Sequence, residues 1–138
     1  MAEFIFKKLA ADAGVSEEFF VCSSATSTEE IWRGIGNPVY PPAREQLLRH
    51  GIMCDGKRAV QLTAEDADKY DLFVGMDSTN IRNMHRILGE GTKDKIFKLM
   101  DFTDRKGDVS DPWYTDRFDI AYRDIYDGCT ALLETLLK

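Results

Sequence analysis

Apolar residues recur at helical spacing from the first positions, where Ala2, Ile5, Phe6 and Leu9 share one face and Gly14 offers a left-handed stop. Positions 1–13 therefore predict an amphipathic helix. Phe19, Phe20, Val21 and Cys22 form a short run of strand formers closed by small polar residues at 23–27, which predicts a strand entering a loop. Positions 34–42, with Gly36, Pro38, Pro41 and Pro42, exclude a helix interior, but Pro42 suits the first turn of a helix that carries Leu47 and Leu48 and stops at His50-Gly51. A weak extended segment over 57–62 precedes Thr63-Ala64-Glu65-Asp66, a capping-box pattern that starts a short helix. The run 71–76 then predicts a strand. Asp77-Ser78 caps a helix bearing Ile81, Met84, Ile87 and Leu88 on one face, with Gly89 beyond its end. Positions 96–100 read as another strand and 101–114 as a polar loop. Phe118, Ala121, Tyr122, Ile125, Cys129, Leu132, Leu133 and Leu136 mark a long final helix.

Strands alternating with helices predict an α/β domain, a three-layer α/β/α arrangement around a parallel sheet, with ligands at the carboxyl ends of the strands. Three convincing strands are few for about five helices, because a parallel sheet covered on both faces is normally wider. A sheet member is therefore expected to be missing. The 138 residues carry no internal repeat or linker and read as one domain over 1–138. A net charge of −6 argues against a broad basic surface for nucleic acid. The short, charge-interrupted apolar runs argue against a membrane span or a secretory leader. Cys22, Cys54 and Cys129 are an odd number at wide spacing, which suits a reducing cytoplasm better than a disulfide framework or zinc site.

The loop Asp108-Val109-Ser110-Asp111-Pro112-Trp113-Tyr114 places a carboxylate beside two large aromatic rings after a predicted strand. Asp111 could protonate a leaving group, and Trp113 and Tyr114 could line a slot for a planar substrate. The plainer alternative is an Asp-Pro turn whose aromatics pack on the core. No cysteine has the electropositive, partly exposed setting of a nucleophile, and each reads as structural. His50 and His85 lie in no metal-ligand pattern, His50 reading instead as a helix C-terminal residue, and no glycine-rich nucleotide loop occurs. Neither a metal nor a cofactor is expected.

Taken in order, Met1-Ala2-Glu3 opening a helix, Ser23-Ser24-Ala25 after a strand, His50-Gly51-Ile52, Met76-Asp77 with Asn80, and Asp111-Pro112-Trp113-Tyr114 resemble the low molecular weight protein tyrosine phosphatase family over the whole chain. The resemblance implies a four-stranded parallel sheet and metal-free hydrolysis of phosphotyrosine through a cysteinyl-phosphate intermediate. It implies that Asp111 is the general acid and then the base for water, that Trp113 and Tyr114 border the ring slot, and that Ser24 braces the phosphate loop. Its substrates would be phosphotyrosine-containing proteins or small aryl phosphates. Another reading, arsenate reductase, shares the fold but needs further cysteines on a mobile segment, and positions 77–100 contain none.

The family's Cys-x5-Arg-Ser loop, expected just before the helix that here begins at Met1, is absent, as is the strand leading into it. The expectation is therefore the family fold minus its first strand, an N-terminally truncated domain in which Met1 corresponds to an internal family position. Without a thiolate to attack phosphorus and a guanidinium to hold the equatorial oxygens, Asp111 has no leaving group to protonate, so the chain is expected to be inactive. A non-catalytic binding or regulatory protein is the alternative. A helix N-terminus at residues 1–3 could offer N–H groups to an anion, though Glu3 opposes it. Loss of an interior strand would expose two edges, which should either close on each other or pair with a second copy, giving a homo-oligomer.

Overall fold

The structure, a computed structural model, describes residues 1–27, 31–32, 34–54, 56–112 and 116–138. Its helices are α1 (Ala2–Asp12), α2 (Pro41–Arg49), α3 (Ser78–Leu88) and α4 (Phe118–Leu136). Its strands are β1 (Ile31–Trp32), β2 (Ile35–Gly36), β3 (Phe73–Gly75) and β4 (Ile96–Lys98). β3 and β4 pair in parallel with Phe73 opposite Ile96, and β1 and β2 form a small antiparallel hairpin. Short 3-10 turns at Ser16–Glu18, Ala64–Asp68, Glu90–Lys95 and Leu99–Phe102 lie in the connections.

Alternation along β3 divides the interior in two, because successive side chains leave a strand on opposite faces. Phe73 joins Leu62, Met84, Leu88 and Ile96 on the α3 side. Val74, with Leu72 and Met76, packs on the other side against a core that includes Ile5 and Phe6 of α1, Leu99 and Met100, and Tyr122, Ile125 and Cys129 of α4. Helices thus cover both faces of the parallel pair, the three-layer α/β/α arrangement expected. The periodic stripes of α1 and α4 meet here: Ile5 is 1% exposed and Cys129 2%. Asp77 caps α3 by accepting the Asn80 N–H at 2.8 Å, and Thr63 and Asp66 form the expected capping box.

Three expectations need correction. Positions 19–22 are not a strand in a ladder. Phe19 has extended backbone (φ −128°, ψ 133°), and Phe19 and Val21 pack on the core. Phe20 faces outward at 84% exposure, stacking on the Tyr70 ring at 6.3 Å. A strand is the property of a pair, and among the described residues this segment has no ladder partner. Among the described residues no backbone hydrogen bond joins it to β3; Phe19 and Val21 share the core with Leu72 and Val74, and Phe20 and Cys22 contact Tyr70. The strand at 96–100 ends at Lys98, because Leu99 and Met100 turn inward in a 3-10 turn and are almost fully buried. Cys22 is exposed rather than built into the interior.

The weak segment at 57–62 contributes isolated bridges, Pro38 to Arg58 antiparallel and Ala25 to Gln61 parallel. The β1–β2 hairpin was not foreseen; Gly34, at φ 79°, supplies the left-handed turn residue between its strands.

Candidate active site

The carboxyl ends of β3 and β4 lead into one rim. Met76 at the end of β3 donates its N–H to Asn80 Oδ1 at 3.0 Å and accepts the Val109 N–H at 2.9 Å. Asn80 and Asn83 each direct an amide nitrogen to Thr26 Oγ1 at 3.4 Å, drawing the 23–27 loop to the start of α3. The loop that bears Asp111 is tied to the same rim. Val109 is buried beneath it, and Asp108 accepts from Lys98 Nζ at 2.9 Å and from Ser78 Oγ at 3.4 Å. The Lys98 hydrogen bond holds the Asp108 carboxyl below its ordinary range. Ser110 donates its N–H to Asp124 Oδ2 at 3.1 Å.

Asp111 follows these anchors directly and is exposed at the surface. Beyond it, Asp116 turns the chain with φ 57° and donates its N–H to Pro112 O. Trp113 and Tyr114, the expected ring-slot residues, lie outside the described residues. Ser24 is exposed on the 23–27 loop, whereas its neighbour Ser23 makes the contact with α1.

That contact belongs to a cluster the sequence does not reveal. Glu3, in the first turn of α1, is 7% exposed. One carboxylate oxygen accepts from Ser23 Oγ at 2.8 Å and from Lys57 Nζ at 3.0 Å, and the other from Lys7 Nζ at 2.7 Å. Burial raises the pKa of such a group, but the hydrogen bonds from Lys7, Ser23 and Lys57 and the Lys57 charge outweigh it and bring Glu3 down to about 2. Glu3 therefore does more than oppose an anion at the helix start: it clasps the 23–27 loop to α1. Ser23 and Lys57 lie 20 and 54 positions away, so only the fold brings them together.

The cysteines divide by environment. Cys129 is buried and its thiol is pushed up to about 12, and Cys54 is buried as well. Cys22 donates its S–H to Tyr70 Oη at 3.2 Å. None is followed six positions later by arginine; those positions hold Thr28, Val60 and Thr135. His50 caps α2, with Nδ1 at 2.9 Å from Gln46 O and its ring stacked on Tyr122. No cluster of three or more His, Cys, Asp or Glu able to hold a metal ion occurs among the described residues, and no helix among them is long and apolar enough to cross a membrane.

A carboxylate-bearing Asp-Pro loop pinned to the carboxyl ends of parallel strands is the layout of a ligand-binding α/β domain. Residues 1–138 match the family model for low molecular weight phosphotyrosine protein phosphatases, and the chain belongs to that family. It is 34% identical over 140 residues to the low molecular weight protein-tyrosine-phosphatase YfkJ of Bacillus subtilis, covering all of this chain and 87% of the relative. It is 31% identical to the low molecular weight protein-tyrosine-phosphatase PtpA of Staphylococcus haemolyticus, again over its full length and 85% of the relative. The crystal structure of YfkJ superposes with a TM-score of 0.90 at 33% identity, covering 99% of this chain and 84% of that one.

Proposed function

We propose that this domain is built for phosphotyrosine hydrolysis, with Asp111 as its general acid and base, and that these 138 residues alone do not turn over substrate. The observation that carries the reading is the placement of Asp111. It sits on a loop pinned at Met76, Ser78, Lys98 and Asp124 along the strand ends, in a chain that matches the phosphatase family from end to end. In hydrolysis through a cysteinyl phosphate, a cysteine thiolate, which these residues do not supply, bonds to phosphorus as the phosphorus–oxygen bond to tyrosine breaks and the Asp111 carboxyl gives its proton to the departing phenolic oxygen. The carboxylate then takes a proton from the water that attacks phosphorus and displaces the thiolate. In a chain that carries the phosphate loop, Ser24 would brace that loop, and Trp113 and Tyr114 would border the ring. The substrates are phosphotyrosine-bearing proteins or small aryl phosphates, and no metal or cofactor takes part.

The nucleophile is the element these residues do not provide. Cys-x5-Arg occurs nowhere in the chain, and the buried Cys129, held protonated, is no substitute. That same observation favours a second reading, a non-catalytic protein that keeps the phosphatase surface for binding. The segment at 19–22, without a ladder partner among the described residues, supports pairing with a second copy in either case, which sedimentation equilibrium would report.

The test has two arms. The chain as it stands should show no hydrolysis of p-nitrophenyl phosphate or of a phosphotyrosine peptide. Extended at its N-terminus with a strand and a Cys-x5-Arg loop, it should hydrolyse both. In that extended chain Asp111→Asn should cost about 10²–10⁴ in kcat on the peptide, whose phenolate leaves poorly, and much less on p-nitrophenyl phosphate. A folded extended chain without activity, combined with phosphopeptide binding by the original chain, would transfer the assignment to the binding protein. Equal effects of Asp111→Asn on both substrates would remove the acid role.

A further inference from the structure

The buried stripe of α4 carries a carboxylate that packing does not account for. Asp124 lies between Ala121 and Ile125 on the face turned to the core and is 7% exposed, where an unpaired charge would be costly. Aspartate is also a poor residue for a helix interior. Both of its oxygens are engaged. Oδ1 accepts from Arg105 Nη1 at 2.8 Å, while Arg105 Nη2 reaches Asp127 Oδ2, one turn further along α4, at 2.6 Å. Oδ2 accepts the Ser110 N–H at 3.1 Å.

We infer that Asp124 is a positioning residue for the Asp111 acid, its carboxylate locked by the Arg105 fork and fixing the backbone immediately before Asp111. This rests on the role proposed for Asp111. Two consecutive peptide groups are held: the Val109 N–H by Met76 O at the end of β3, and the Ser110 N–H by Asp124 from α4. Asp111 is the first residue past them, so its Cα is set by the strand on one side and the terminal helix on the other. The Arg105 fork keeps the carboxylate from rotating away, because a planar guanidinium bridging two carboxylates one helical turn apart restricts both. Proton transfer demands such control, since misplacing a reacting group by about 1 Å can cost on the order of 10²-fold in rate.

The direct test needs no variant. In the wild-type chain labelled with ¹⁵N and ¹³C, a coupling across the hydrogen bond should connect the Ser110 amide nitrogen to the Asp124 carboxyl carbon, and the Ser110 amide should exchange slowly with solvent. Asp124→Asn and Asp124→Ala should each speed Ser110 exchange at least tenfold and shift the Asp111 resonances, with amides elsewhere in α4 and in β3 changing less than about twofold. Glu134→Gln, at an exposed position of α4 outside this network, should leave Ser110 within about twofold of wild type. Absence of the coupling together with fast Ser110 exchange in the wild-type chain would overturn the inference. So would exchange in the Asp124 variants that rises equally along α4, the mark of a purely structural role. In the N-terminally extended chain, Asp124→Asn should lower kcat on the phosphotyrosine peptide about tenfold and spare p-nitrophenyl phosphate. If Asp111→Asn itself is without effect there while the Ser110 coupling is present, the acid assignment has failed and the anchor has not.

Discussion

Replacing Glu3 by glutamine removes one negative charge from a site where two lysines and a serine converge, and keeps the shape of the side chain. The carboxyl lies at about 2 against an ordinary 4.5, a difference worth about 3 kcal/mol at about 1.4 kcal/mol per pH unit. Because the folded-state pKa is the lower one, the unfolded chain binds more protons between about pH 2 and 4.5, so stability rises with pH through that interval. The stabilisation is complete above about pH 4.5 and is lost as pH falls to about 2. At neutral pH Glu3→Gln should therefore cost at most about 3 kcal/mol, solvent around the half-exposed Lys7 screening part of it, which at about 1.5–2 kcal/mol per molar urea moves the midpoint down by up to about 1.5–2 M. Urea titrations of both proteins at intervals from pH 7 to pH 2 separate Glu3 from the other carboxylates, whose titration is common to the two. The curves should run parallel above pH 5 and converge towards pH 2. A midpoint shift below about 0.3 M at pH 7, or curves that diverge in acid, would refute the argument that the clasp between α1 and the 23–27 loop is electrostatic.

Further outcomes follow from packing and exposure. A Cβ on Gly128 would stand 2.5 Å from Leu99 Cγ, in the interior and 1% exposed. Gly128→Ala should therefore lower stability by about 1–2 kcal/mol in thermal melts, despite the ~1 kcal/mol that alanine normally contributes to a helix; a raised melting temperature would contradict this. Asp77→Ala removes the α3 cap and should cost about 1 kcal/mol in urea unfolding; no change in midpoint would mean that Ser78 or water replaces it. Cys22 alone should react with a thiol reagent in the folded chain, Cys54 and Cys129 only after denaturation, and rapid modification of more than one thiol would contradict the burial described.

Much of the scaffold was legible in the sequence because a helix declares itself locally. The stripe from Phe118 to Leu136, the Asp77 cap and the Thr63–Asp66 box are all written within a turn or two of the residues they organise, and each appears where its spacing placed it. The family resemblance likewise followed from short motifs read in order. Positions 19–22 show the limit of such reading: their β-branched and aromatic residues indicate an extended segment with one face on a core, which is what Phe19 and Val21 form, but whether a ladder forms depends on a second strand. The β1–β2 hairpin was missed for a related reason, since two-residue strands leave no alternation to detect.

The candidate site divides along the same line. Asp111 stood out because Asp-Pro followed by aromatics is a local pattern, whereas what holds it comes from Met76, Lys98 and Asp124, on two strands and a helix. The Ser23 contact with Glu3 lies equally beyond local reading, because the two residues are 20 positions apart and meet only in the fold. Asp124 was nonetheless visible in principle. A carboxylate inside the stripe formed by Ala121, Tyr122, Ile125 and Cys129 breaks the pattern that predicts the helix, and a charge there persists only when something fixed meets it. In this chain Arg105 and the Ser110 amide meet it, so the break in the hydrophobic pattern marks the point where the most regular element of the fold takes hold of the loop bearing Asp111.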